Sequence, residues 1–542
     1  MWKYSLLGLA LLTSSRASAH TRPINARSEK ITWVSCGLDE PSILCGNLTV
    51  PMDYTNPDSK ATIDLQLLKV PAVYSPKEAS VLFNFGGPGL EARLTLAGMS
   101  QQLLALTGGH YDLIAHDPRY AIILRSSRSN GPMLIASSGT ANTLTVSCFN
   151  TSTERINTYY HDTKNIADPE DTALIGRAWG ASKVLANACY NFPGFRQNAS
   201  MIGTAFSARD LMQIVDAIEP DGLLRYWGLS YGTVLGATVA SMFPDRIDRL
   251  VLDAVTNPHE FNNGYDVELW ADADTTFTNF IIECLKVPDQ CALSNRNSTA
   301  GDIEKDIYNL LEGLKREPLV HGTTIIDPTL VRTMIRFALY SPSNFEPLSI
   351  ALNSLLPPSN MTLFQAIHKQ MPGSSVDLLA ADESPSAIHC GDKNAPQRTF
   401  EEMEEVFEAL SDESKLLGSA GIVLAQFCAN WPISAKERYQ GDFNVKTRHP
   451  MLVVGNTFDS TTPLRSAQNV SAGFHNSILV ENGGFGHGSH AHGSACTYRI
   501  IRDYFVNGSL PEADTFCETS YGPFENKSAI DVLKEMGFLD FA

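Results

Sequence analysis

Three residues far apart in the chain have the types and settings needed to activate a serine hydroxyl: Ser230, Asp459 and His487. Ser230 is the centre of Gly228-Leu229-Ser230-Tyr231-Gly232. An apolar run of strand length, Leu223 to Leu229, precedes it, and a helical stretch with small residues at Gly236, Ala237 and Ala240 follows. Strand, sharp turn and helix hold a serine at the tip of a strained bend, and the flanking glycines let the two elements approach without a clash. A serine needs a base to take its proton, and the base needs an acid to orient it. Asp459 comes just after the apolar run Met451 to Gly455, at a strand's C-terminal end, where parallel sheets build their sites. His487 lies in Gly484-Phe485-Gly486-His487-Gly488, after the run Ile478 to Glu481. Singly, Asp459 reads equally as a turn or helix-cap residue and His487 as a surface histidine. Together, in the order serine, acid, histidine, they point to attack on a carbonyl carbon through an acyl intermediate.

Such an attack places negative charge on the carbonyl oxygen, which needs backbone N–H donors. The residue after the nucleophile, Tyr231, supplies one. The second is expected from the glycine-rich loop Asn84-Phe85-Gly86-Gly87-Pro88-Gly89, with Gly87 as the donor. His490 and His492 stand near His487, but no carboxylate sits at ligand spacing within that cluster, so it reads as loop residues and not as a metal site.

These residues require a layered scaffold. Residues 31–70 alternate in short runs and read as antiparallel strands. Ser80 to Phe85 and Tyr111 to His116 are continuous apolar runs that suggest buried strands, Leu223 to Leu229 is the strand before Ser230, and Arg249 to Val255 reads as the next parallel strand. Asp171 to Asn191 and Thr204 to Glu219 carry helical periodicity. From about Phe261 to Gln397 helices dominate (Val267 to Leu285, Asp302 to Lys315, Pro328 to Tyr340, Phe345 to Leu355, Thr362 to Gln370), with no strong strand among them. Strand and helix alternate again at Pro450 to Asn456, Ser477 to Glu481 and the helix Cys496 to Val506. The expected class is α/β, a mostly parallel central sheet with a helical cap insertion. The expected divisions are a leader over 1–19, a first core part over 20–260, a helical cap over 261–400 and a C-terminal part over 401–542 that completes the core.

The chain has 542 residues and a formal net charge of −18. That acidity disfavours nucleic acid as a partner, since phosphate backbones would be repelled. Lys3, the apolar stretch Leu6 to Leu12 and Ala17-Ser18-Ala19 read as a secretory leader, and the apolar run is far shorter than the ~20 residues of a membrane span. No membrane span is expected once the leader is removed. Sequons at Asn47, Asn150, Asn198, Asn297, Asn360, Asn469, Asn507 and Asn526 suit a glycosylated, extracellular protein. The ten cysteines fall in sequence order into short-range pairs, Cys36–Cys45, Cys148–Cys189, Cys284–Cys291, Cys390–Cys428 and Cys496–Cys517. This connectivity is a hypothesis, since spacing alone leaves other pairings open.

The motifs Gly86-Gly87-Pro88-Gly89, Asp117-Pro118-Arg119, Gly228-Leu229-Ser230-Tyr231-Gly232, Leu252-Asp253, Cys428-Ala429-Asn430-Trp431-Pro432, Asp459-Ser460-Thr461-Thr462-Pro463, Gly486-His487-Gly488 and Leu510-Pro511 to Cys517 occur in this order. The set resembles the secreted tripeptidyl-aminopeptidase-like α/β-hydrolases, relatives of the prolyl aminopeptidases (the S33 peptidase group), with their TAP-like C-terminal region. Ala387-Ile388-His389-Cys390-Gly391-Asp392 is similar to the segment before that region. The resemblance implies the α/β-hydrolase fold, with Ser230 as nucleophile, Asp459 as orienting acid and His487 as general base. It also implies release of amino acids or short peptides from free N-termini, without metal or organic cofactor. Two loops depart from the family pattern: Tyr120-Ala121-Ile122-Ile123-Leu124-Arg125-Ser126 replaces a Gly-x-Gly-x-Ser run, and Leu90-Glu91-Ala92 stands where Gly and Ser are usual. Bulkier loops motivate a second reading, an esterase or small-molecule hydrolase, with secondary metabolism as one setting for it. A non-catalytic binding protein on this fold is a third, opposed by the intact Ser230, Asp459 and His487. Either enzyme would take a peptide or small acyl substrate. Asp266, Glu268 and Asp272 could receive a substrate ammonium but read more simply as a solvated helix face.

Overall fold

A computed structural model describes residues 31–38, 42–119, 144, 148–155, 172–372, 383–394 and 398–540. The expected leader (1–19) and the Tyr120–Ser126 run lie outside them. The described chain forms strands β1 (Val34–Ser35), β2 (Leu44–Pro51), β3 (Thr62–Val70), β4 (Ala79–Asn84), β5 (Tyr111–His116), β6 (Leu224–Ser230), β7 (Ile247–Val255), β8 (Leu319–His321), β9 (Thr324–Ile326), β10 (Leu452–Phe458), β11 (Ile478–Phe485) and β12 (Thr515–Cys517).

Ten of these make one sheet, in the order β1-β2-β3-β5-β4-β6-β7-β10-β11-β12. The β1–β2, β2–β3 and β3–β5 pairs are antiparallel. All pairs from β5–β4 to β11–β12 are parallel. The sequence explains where the change falls. In β2 buried and exposed positions alternate, as on an edge with one wet face. In β4 and β5 every residue is buried, as when helices cover both faces.

Those helices form two layers. Thr204–Ile218 and Tyr231–Met242 pack on one face, and Ala92–Leu106, Ala495–Asn507 and Ala529–Glu535 on the other. Gly236 lies in the first layer, where an added Cβ would stand 2.6 Å from Leu252 Cδ2. Between β7 and β10 the chain runs through a long helical insertion, including Ala273–Lys286, Ala300–Arg316, Pro328–Ala338, Phe345–Leu355 and Met361–His368. No strong strand is expected here, and the only strand pairing within the insertion among the described residues is a short antiparallel hairpin, β8 and β9, around Gly322, which has φ +60°. Strands of three residues are too short to show an alternating pattern. β12 is a second strand the periodicity does not reveal; Cys517 at its end is bonded to Cys496 on the preceding helix. The other cysteines are also bonded to their neighbours in sequence: Cys36–Cys45, Cys148–Cys189, Cys284–Cys291 and Cys390–Cys428.

Candidate active site

The elbow is built by close packing of backbone. Strand β6 ends at Ser230, whose φ of +56° is rare for a residue with a Cβ. The helix Tyr231–Met242 starts at the next residue. A Cβ at Gly228 would lie 2.2 Å from the Gly232 carbonyl oxygen, and one at Gly232 would lie 2.3 Å from the Asn84 carbonyl oxygen. No side chain fits at either position. Tyr226, fully buried, donates its hydroxyl to the Gly232 carbonyl at 2.7 Å and so anchors the turn from below.

The glycine loop after β4 lies against this turn. A Cβ at Gly86 would stand 2.7 Å from Ser230 Cβ and 3.1 Å from the Tyr231 nitrogen. Gly86 donates its N–H to Asn84 Oδ1 at 3.0 Å. No acceptor among the described residues engages the N–H of Gly87 or of Tyr231, which opens its helix.

Asp459 and His487 are brought together. Asp459 is fully buried. Its Oδ1 accepts the N–H groups of Thr461 (2.9 Å) and Thr462 (3.0 Å), and its Oδ2 accepts the Thr462 hydroxyl (2.7 Å) and His487 Nδ1 (3.0 Å). Burial opposes ionisation of Asp459, but the His487 charge and the bonds from His487 and Thr462 hold its pKa below the ordinary carboxylate value. Burial likewise disfavours the imidazolium, yet the Asp459 charge and hydrogen bond, with smaller help from Tyr340 and Asp253, raise the His487 pKa. With Nδ1–H committed to Asp459, Nε2 is the free nitrogen.

Ser230 and His487 share an edge without touching through a hydrogen bond. Ser230 pairs with Val255 at the end of β7, and the histidine loop rests on the same strand end, where a Cβ at Gly488 would stand 3.5 Å from Ala254 Cβ. Among the described residues neither the serine hydroxyl nor His487 Nε2 has a hydrogen-bond partner. Such catalytic bonds are often long before substrate is bound.

The loop that carries His487 is fastened through several of its backbone groups. Asn456 donates its side-chain amide to the carbonyls of Gly486 (2.7 Å) and Gly488 (2.8 Å), on either side of the histidine. Asn482 in turn donates to Asn456 Oδ1, and Thr497 donates to Asn482 Oδ1. The N–H of His487 goes to the Tyr340 carbonyl of the helical insertion (2.9 Å), and the Tyr340 ring stands edge-on to the imidazole at 4.9 Å. Gly486, at φ +95°, has Tyr340 O only 2.6 Å from where a Cβ would be. Sequence reading missed Asn456 and Asn482. The signal available was an amide just after the mostly apolar run of each strand, where an unpaired polar group is costly.

His492 is structural: Nδ1 accepts the Phe485 N–H and Nε2 donates to the Tyr521 carbonyl, a pattern only the neutral ring satisfies. Burial and the nearby His487 charge push the pKa of His490 down to about 4. The three acids of the insertion are not a solvated face. Asp266 is buried and held by Lys393 Nζ (3.0 Å) and His389 Nε2 (2.7 Å). Glu268 accepts from Ser466 and Asn469, and Asp272 from the Leu464 N–H. Asp266 ties together two stretches of the insertion, whereas Glu268 and Asp272 fasten the insertion to the helix after β10.

Residues 172–319 match the family described as alpha/beta hydrolase fold, and residues 414–517 match TAP-like protein. The chain is similar to Serine protease Hip1 of Mycobacterium tuberculosis, 24% identical over 511 residues, 90% of this chain and 91% of that protein. It is similar to the same extent to the Tripeptidyl aminopeptidase of Streptomyces lividans, 24% identical over 505 residues, 90% of this chain and 86% of that protein. Carboxylesterase B of Mycobacterium tuberculosis is also 24% identical, over 494 residues, 87% of this chain and 86% of that protein. With its sheet order, its strand–turn–helix at Ser230 and these two matched regions, the chain has the α/β-hydrolase fold with a TAP-like C-terminal region and resembles the tripeptidyl aminopeptidases.

Proposed function

We propose that the protein is a secreted serine hydrolase, and specifically an exopeptidase that releases amino acids or short peptides from free N-termini. The observation that carries this reading is the buried Asp459–His487 pair beside the edge where the elbow projects Ser230. His487 Nε2 takes the Ser230 proton as the hydroxyl attacks the substrate carbonyl. The N–H groups of Gly87 and Tyr231 receive the oxyanion. The same histidine then protonates the leaving amine, and later activates the water that frees the acyl group. The similarity to a serine protease and to a tripeptidyl aminopeptidase favours a peptide bond as the target. The leader, the sequons and five disulfides favour export to an oxidising compartment.

A second reading is an esterase with the same chemistry. Its support is the similarity to Carboxylesterase B and the bulkier Leu90-Glu91 after the glycine loop. Two measurements test both. Mass spectrometry after fluorophosphonate treatment should find the label on Ser230; folded protein left unlabelled there overturns the hydrolase reading. A panel of free-amine tripeptidyl and aminoacyl anilides, their N-acetylated forms and p-nitrophenyl esters then separates the two. Turnover of free-amine anilides alone supports the exopeptidase, and turnover of esters alone the esterase.

A further inference from the structure

Asp253 is a carboxylate that the chemistry above does not use. It lies near the end of β7, fully buried, and accepts the Ser489 N–H at 3.0 Å and the Ser489 hydroxyl at 2.6 Å. Ser489 is two residues beyond His487. The backbone at this strand end is unusual. Leu229 pairs with Asp253 and Ser230 with Val255, so Ala254 is an extra residue, and its φ of +57° is uncommon for alanine. A bulge of this kind re-aims a neighbouring side chain.

We propose that Asp253 is a positioning residue for the base: through Ser489 it fixes the far end of the histidine loop, and its negative charge stabilises the imidazolium that forms as Ser230 attacks. This rests on the hydrolase reading above. Asn456 holds the carbonyls on either side of His487 with a neutral amide, and Asp253 differs from it in carrying a charge. Burying a carboxylate is far more costly than burying an amide. A charge used only to hold a turn is therefore the expensive choice. The groups that act electrostatically around this spot are His487 and His490 on the loop, Asp459 after β10, Tyr340 from the insertion and Tyr498 on the helix Ala495–Asn507. Of these, only His487 gains a positive charge during the reaction. Asp459 takes its Nδ1–H, and Asp253, whose pKa burial pushes up to about 6, supplies a second negative charge above that pH without a direct bond.

The test is the rate of Ser230 labelling by a fluorophosphonate, followed against pH in wild type, Asp253→Asn and Ser489→Ala. Asparagine keeps an acceptor for Ser489 and removes the charge. Ser489→Ala keeps the charge and removes one bond. In Asp253→Asn the plateau rate should fall about tenfold or more, and the midpoint of the acid limb should move to lower pH by about half a unit. In Ser489→Ala the plateau should fall while the midpoint stays. A wild-type plateau and midpoint in Asp253→Asn overturns the proposal, as does a midpoint that stays put while the plateau falls, which marks a purely structural role. If Asp253→Asn does not fold, a wild-type plateau in Ser489→Ala overturns it. An unlabelled wild type removes the hydrolase reading together with this one, whereas a labelled wild type with unmoved variants removes this one alone.

Discussion

The two halves of the site are held in place by opposite means. The Ser230 elbow is fixed by the absence of side chains: Gly228, Gly232 and Gly86 let three pieces of backbone meet at distances no Cβ would allow. The His487 loop is fixed by side chains, with Asn456, Asn482, Thr497 and Asp253 committed to it. In the role proposed for Ser230, a nucleophile must sit at a strained turn that only tight packing enforces. In the role proposed for His487, a base must hold one tautomer and one orientation, which requires directed hydrogen bonds.

Substitutions should break the two halves differently. Ser230→Ala removes the proposed nucleophile, and hydrolysis should fall by about a million-fold with fluorophosphonate labelling abolished. Asp459→Asn leaves the shape but not the charge, so kcat should fall by about 10⁴-fold with KM little changed. Asn456→Ala frees two buried carbonyls beside His487; kcat should drop roughly 10- to 100-fold, with a stability loss of about 1–3 kcal/mol in chemical denaturation. Gly228→Ala acts through the fold. Its Cβ would meet backbone at 2.2 Å, and the lost stability should exceed about 3 kcal/mol, read as a lowered Tm or as insoluble protein. Asn456→Ala should instead give soluble, slow enzyme, and that difference is the measurable form of the comparison.

The smallest effect is on pH. The Asp459 charge raises the His487 pKa, and a general base must be neutral. The acid limb of kcat/KM should therefore have its midpoint above the ordinary histidine value of about 6.5, activity rising with pH through it. The same shift stabilises the fold in full below about pH 6.5, and that contribution is lost as pH climbs through the folded-state value.

The sequence made the elbow readable because glycine spacing and a strand-then-helix pattern are local. The existence of the central strands was also readable, since β4 to β7 are short, mostly apolar runs, but their order in the sheet was not. The fastening of the histidine loop was not. Asn456 and Asn482 belong to neighbouring strands, and Asp253 belongs to a third; their meeting depends on register across the sheet, which periodicity does not carry. Asp266, Glu268 and Asp272 misled for the same reason. Their partners, Lys393, Ser466 and Leu464, come from distant stretches of chain.

The contact between Tyr340 and the Gly486-His487 backbone constrains how such proteins can be rebuilt. The helices between β7 and β10 look like an exchangeable module, suited to grafting from one relative to another for new selectivity. A donor module that fails to present a carbonyl where Tyr340 presents its own would leave an amide hydrogen orphaned beside the imidazole. Chimeras should therefore be joined so that residue 340 travels with the recipient.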